Sequence, residues 1–172
     1  MTPSTRSVTL VLGGARSGKS RHAEALIAAR PAPWRYIATA EAYDDEMRAR
    51  IAEHRARRGA GWQTVDAPRD LAGALGAVPA GTPVLVDCLT LWLTNLLLAE
   101  ADLPAERAGL LAAVQAFDGP LVLVSNEVGL GIVPDNALAR RFRDEAGRLH
   151  QELAAIADHV IFMVAGLPMT VK

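Results

Sequence analysis

Eight consecutive residues carry the plainest chemistry in this chain. Gly13-Gly14-Ala15-Arg16-Ser17-Gly18-Lys19-Ser20 satisfies G-x-x-x-x-G-K-[ST] at every fixed position. Glycines let such a loop turn tightly and aim its backbone N–H groups at phosphate oxygens. The helix that follows adds its positive N-terminal end. Lys19 supplies a mobile charge for the β- and γ-phosphates of a nucleoside triphosphate, and the Ser20 hydroxyl can ligate Mg²⁺. Asp87 closes a second apolar run, PVLVD, and has two readings: an acid that holds Mg²⁺, or a cap for the next helix. The motif names a ligand and leaves the reaction open. No N-K-x-D follows, which argues against a regulatory GTPase, and the chain is short for a motor ATPase. A small-molecule kinase fits the size.

Four histidines are present: His22, His54, His150 and His159. None pairs with acids at metal-ligand spacing, so no zinc site is expected. His54 stands apart because Arg55, Arg57 and Arg58 follow it. A neutral imidazole is a competent nucleophile toward phosphorus, and guanidinium groups beside it stabilise a transferring phosphate. The residue types also permit a plainer reading, which leads on those grounds alone: a histidine on a helical stripe with Met47 and Ile51, followed by a solvated basic run.

These residues must be positioned by strands alternating with helices. Val8–Leu12 reads as a buried strand before the phosphate loop, and a helix is expected from about Gly18 to Arg30, stopping at Pro31. Arg35–Ala38 is a second strand. Asp44–Arg58 is a charged helix with acids in its first turn and arginines in its last, as the helix dipole favours. Strands follow at Pro83–Asp87, Pro120–Ser125 and Val160–Val164, with an edge strand within Leu167–Lys172. Helices are expected at Leu89–Ala99, Ala105–Phe117 and Asn136–Ala157, and Asn126–Pro134 is a Gly-rich loop. Asn126 and Glu127 on that loop either orient a substrate or cap the strand end. The pattern predicts an α/β, P-loop NTPase-like fold: a mostly parallel sheet with helices on both faces.

Residues 1–172 form one domain, with residues 1–7 expected to be a loose tail. Apolar residues make up 51% and charged residues 22%, which excludes a disordered chain, and the net charge of −1 gives no general attraction to nucleic acid. The one cysteine, Cys88, excludes an internal disulfide and reads as a small core residue. No segment has the length and apolar character of a secretory leader or a membrane span, so a cytoplasmic protein is expected.

Several segments together carry a more specific resemblance. GGARSGKSRHAE (13–24), YIATA (36–40), DDEMRARIAEHRARR (44–58), W-x-T (62–64), VDCLTLWLTNLL (86–97) and NEVGLGIVP (126–134) resemble the bifunctional adenosylcobinamide kinase/adenosylcobinamide-phosphate guanylyltransferase family of cobalamin biosynthesis. The likeness runs from about Val8 to Lys172. It implies transfer of the terminal phosphate of ATP or GTP to the adenosylcobinamide hydroxyl. It further implies attack of a histidine, here His54, on the α-phosphate of GTP, and passage of GMP to adenosylcobinamide phosphate. By the same resemblance Lys19 is catalytic. Ala38, Thr39 and Ala40 border the nucleotide, and Arg55, Ala56, Arg57, Arg58 and Asp66 contact the guanylyl group. A carboxylate suits guanine, whose N1–H and N2–H₂ are adjacent donors. Asp66 is a departure, since the family usually has Glu two residues after W-x-T. The family also implies a homotrimer.

Overall fold

The structure is a computed structural model that describes residues 6–172. Of the expected tail, residues 1–5 lie outside the described residues. Ser7 is already part of the first strand, because its N–H donates to the Gly119 carbonyl at 3.2 Å.

Among the described residues, seven strands and six helices follow one another. They are β1 (Ser7–Gly13), α1 (Lys19–Ala28), β2 (Trp34–Ala38), α2 (Asp45–Arg57), β3 (Trp62–Asp66), α3 (Leu71–Gly76), β4 (Val84–Asp87), α4 (Leu89–Leu98), α5 (Leu103–Ala116), β5 (Pro120–Asn126), α6 (Ala137–Ile156), β6 (His159–Val164) and β7 (Leu167–Thr170). One sheet takes them in the order β3-β2-β4-β5-β1-β6-β7. All neighbours are parallel except β7, which runs antiparallel to β6 at the edge.

The central strands are buried on both faces, and alternate residues feed two cores. Val8, Leu10, Leu121, Leu123, Val84 and Val86 face a large cluster with residues of α3 to α6, including Leu71, Trp92, Leu110 and Leu149. Val11, Val122, Val124 and Leu85 face a smaller cluster under Ala23 and Ile27 of α1. Cys88 lies in that smaller cluster, with its thiol 3.2 Å from Thr90 Oγ1. Burial, aided by Asp87, pushes the thiol up to about 11, which fits a packing residue.

Two elements were not expected from the sequence. β3 is a half-exposed edge strand whose WQTVD lacks a continuous apolar run. It is held by parallel pairing with β2 and by Trp62, whose ring lies 5.3 Å from Trp34. α3 is a single short helix of six residues, too short to display a period, started by Asp70, which accepts from Gly73 N at 2.8 Å.

Candidate active site

The carboxyl ends of β1, β5 and β4 lie side by side, and they bring three sequence-distant signals to one edge. Gly13 pairs with Asn126 across β1 and β5, and Asp87 pairs with Val124 across β4 and β5. In open α/β sheets ligands bind in the crevice outside these ends.

The phosphate loop leaves β1 at Gly13. A Cβ there would lie 2.6 Å from Ser17 Oγ and 2.8 Å from the Met163 carbonyl, so only glycine fits. Gly18, just before α1, has φ +93°, and a Cβ on it would approach Gly166 Cα at 3.3 Å. Gly166 N donates to the Ser17 carbonyl at 3.0 Å, which braces the loop against the β6–β7 turn. Arg16 takes the left-handed conformation at φ 53°; it and Ala15 are exposed on the outer rim.

Lys19 is buried, and its Nζ donates to the Gly14 carbonyl at 2.6 Å, folding the side chain back over the loop. Burial pulls the Lys19 pKa down, and the carboxylate of Asp87 opposes that shift. A polyanion bound in the loop would strengthen the charged form further. Ser17 Oγ, in the loop, and Arg58 Nη1 are both buried without a hydrogen-bond partner among the described residues. Two buried, unsatisfied donors cost stability unless a ligand meets them, and phosphate oxygens would.

Asp87 stands at the end of β4 and is not used as a helix cap. The N-cap of α4 is Cys88, with no side-chain cap bond. That leaves the carboxylate near enough to Lys19 to favour its charged form, and Ser20 sits in the first turn of α1. Among the described residues no group of three or more His, Cys, Asp or Glu side chains is gathered as a metal cage. Ser20 and Asp87 fit an ion shared with phosphate oxygens, as Mg²⁺ commonly is.

Ala38 is buried at the end of β2, and Ala40 lines a groove of about 460 Å³ with Arg48, Ile51, Arg55 and Asp66. Thr39, between them, is spent internally: its Oγ1 donates to the Cys88 carbonyl at 2.6 Å and accepts from Cys88 N at 2.9 Å. It fastens the ends of β2 and β4 together.

His54 lies half-buried in the last turn of α2, a helix that begins with Asp44 accepting from Met47 N at 2.7 Å. No side chain of α2 is buried. Three arginines in and just after its last turn hold it to the body. Arg55 pairs with both carboxylate oxygens of Asp66, at 2.7 and 2.9 Å. Arg57 reaches Glu24 of α1 at 3.2 Å and lies 3.4 Å from His54 Nδ1. Arg58 stacks over the ring of Tyr36, 3.5 Å from its centroid. The residues expected around a guanylyl group are thus gathered, but Asp66 is occupied by Arg55, and Ala56 points to solvent.

Tyr36 and Glu24 were not singled out from the sequence. Tyr36 is buried beneath Arg58, and burial together with the neighbouring Asp87 carboxylate strongly disfavours ionisation of its phenol. It therefore spans the distance from the arginine turn to Asp87. YIATA displayed it only as one apolar residue of a strand.

The comparisons with known proteins meet this geometry. The family model described as cobinamide kinase/cobinamide phosphate guanyltransferase matches residues 9–171. The chain belongs to this family. It is 55% identical over 166 residues to a bifunctional adenosylcobalamin biosynthesis protein of Pseudomonas aeruginosa, covering 95% of this chain and 96% of that one. It is 46% identical over 179 residues to the protein of the same description in Salmonella typhimurium, covering 95% and 98%. Among solved structures, a type III secretion ATPase superposes with a TM-score of 0.56 at 12% identity, over 95% of this chain and 56% of that one. A Pyrococcus horikoshii protein gives 0.55 at 10%, over 96% and 86%. At such identities these two likenesses speak for the P-loop fold alone. The resemblance read from the NEVGLGIVP and DDEM…H segments thus stands, and so does the predicted α/β fold.

Proposed function

We propose that this cobinamide kinase/guanyltransferase family member catalyses two successive transfers in cobalamin biosynthesis. It first moves the terminal phosphate of ATP or GTP to the hydroxyl of adenosylcobinamide. It then moves GMP from GTP, through a phosphoramidate on His54, to adenosylcobinamide phosphate, giving adenosylcobinamide-GDP. The observation that carries this reading is the Arg57–Glu24 contact, which ties the histidine helix to α1, the helix that opens from the phosphate loop.

In the first transfer the loop N–H groups and Lys19 hold the triphosphate, and Ser20 and Asp87 would hold Mg²⁺. That ion, when bound, supplies charge neutralisation for the phosphates. In the second transfer the imidazole of His54 forms a bond to the α-phosphorus and the bond to the bridging oxygen breaks, so that pyrophosphate leaves with the electron pair. Arg57 and Arg58 meet the charge that develops on the α-phosphoryl oxygens. The phosphate of adenosylcobinamide phosphate then takes the GMP and frees the histidine. Leu130, Ile132 and Val133 on the NEVGLGIVP loop are 81%, 98% and 61% exposed, an apolar surface suited to a bulky corrinoid. A homotrimer in the cytoplasm belongs to the same reading, and sedimentation analysis tests the assembly.

His54→Asn is the deciding variant. The wild-type protein incubated with α-³²P-GTP and then denatured retains an acid-labile, base-stable label. His54→Asn loses the label and guanylyl transfer but still phosphorylates adenosylcobinamide, because that step needs no covalent histidine. A labelled His54→Asn protein would move the nucleophile elsewhere. A folded, unlabelled protein that had also lost its kinase would return a plain P-loop kinase to first place.

A further inference from the structure

We propose that Glu127 takes the proton from the acceptor hydroxyl during phosphoryl transfer, and that His150 and Ser125 hold its carboxylate ready. This rests on the kinase half of the function proposed above.

The placement follows from strand order. β5 lies between β4, which delivers Asp87, and β1, which delivers the phosphate loop. Glu127 is the first residue past β5, and its N–H donates to the carbonyl of Gly13, the residue that opens the loop, at 2.9 Å. Its backbone is therefore fixed beside the triphosphate site.

The neighbouring polar groups are already committed. The amide of Asn126 donates to Thr90 Oγ1 at 2.9 Å. Lys19 donates to the Gly14 carbonyl and feels the Asp87 carboxylate. Glu127 keeps one open atom. Its Oε1 accepts from Gly129 N at 2.6 Å, while Oε2 takes no hydrogen bond among the described residues and has His150 Nδ1 at 3.9 Å. The side chain is 23% exposed, so an acceptor can reach it. A carboxylate needed only to close the turn at Gly129 would not require a buried imidazole behind its second oxygen.

That imidazole is an unusual component of a core. His150 is 7% exposed on α6, and its Nε2 lies 2.7 Å from Oγ of the fully buried Ser125. Burial lowers its pKa and Glu127 opposes this, so the ring is neutral near pH 7. In the proposed arrangement the Ser125 hydroxyl donates to Nε2, which puts the ring proton on Nδ1, toward Glu127 Oε2. At 3.9 Å this is orientation by a dipole, and no proton passes to the ring.

In the step itself the hydroxyl oxygen bonds to the γ-phosphorus, and the bond from that phosphorus to the β,γ-bridging oxygen breaks. The electron pair leaves with the nucleoside diphosphate. The hydroxyl proton goes to Glu127 Oε2 and then to solvent. Attack of His54 on the α-phosphate needs no such acceptor, because a neutral imidazole nitrogen brings its own lone pair.

The two half-reactions therefore separate the roles. Kinase turnover with adenosylcobinamide, the nucleotide KM and retention of the α-³²P label are measured on the same samples of the wild type, Glu127→Gln, His150→Phe and His150→Gln. Glu127→Gln is expected to lower kinase kcat by about 10²–10⁴-fold, with nucleotide KM and the His54 label retained. His150→Phe is expected to lower only kinase kcat, by roughly tenfold, and His150→Gln, which can still donate toward Glu127, to recover part of it. Kinase kcat in Glu127→Gln within about threefold of the wild type overturns the proposal. So does a parallel loss of kinase, label and nucleotide affinity, which would make Glu127 a prop for the phosphate loop. A wild-type protein that accepts the label but never phosphorylates adenosylcobinamide overturns the kinase reading, and this proposal with it.

Discussion

Lys19 is buried within reach of the Asp87 charge, and the function proposed above would have its cation serve the triphosphate in both reactions. Lys19→Met is expected to lower kinase and guanylylation rates together, each by about two orders of magnitude or more. Parallel assays of phosphoryl transfer and of α-³²P labelling check this, and a wild-type rate in either one would split the site in two. The phosphate-loop motif was legible because it is contiguous, eight residues in a row, whereas the turn at Gly166 that braces it was not. Tyr36 and Glu24 were not legible, because each gains its role from an arginine more than twenty residues away. Asp66 was expected at the guanylyl group by resemblance, but the bond from Arg55 Nη2 to both its oxygens is a competitor that no spacing rule displays.

At the scale of elements, α2 is the outlier. A helix without a fully buried side chain draws little hydrophobic stabilisation, from half-buried Met47 and Ile51, and depends on its cap, its dipole and the arginine contacts of its last turn. The Arg55–Asp66 pair is largely exposed, at 47% and 62%, and such pairs contribute about 0–1 kcal/mol. Amides of residues 45–57 are therefore expected to exchange with solvent much faster than those of 137–156 in α6, which packs Leu149 and Leu153 into the core. Tyr36→Leu removes the partner of Arg58 and should quicken α2 exchange further, since a desolvated cation–π contact contributes about 1–2 kcal/mol. Exchange followed by mass spectrometry decides; equal protection of α2 and α6 would show that the helix has a stronger hold than these arginines.

At the scale of the whole molecule, His150 is a proton-linked weakness near neutral pH. Folding lowers the pKa of His150 from its ordinary 6.5 by burying it. Just below that value the unfolded chain takes up a proton that the folded chain resists. Stability therefore falls as pH drops through the window between 6.5 and the lower folded value, and it levels off beneath both. His150→Gln should flatten that part of the profile. Urea midpoints between about pH 7.5 and 5.5 measure it, and identical slopes in the two proteins would mean that His150 gains its proton equally well in either state.

The sequence alone determined the phosphate loop, the alternation of strands and helices, and the family, because each rests on contiguous residues or on the period of apolar positions. It read β7 as an edge strand and α6 as a long helix for the same reason. It did not display β3, whose stability comes from pairing with β2 and from Trp62 on Trp34, contacts made between segments. Only the tertiary structure placed β5 between β4 and β1, and so put Glu127 against Gly13 with His150 behind it. Strand order is a property of the closed sheet: it depends on which apolar faces cover which, and no single segment encodes it.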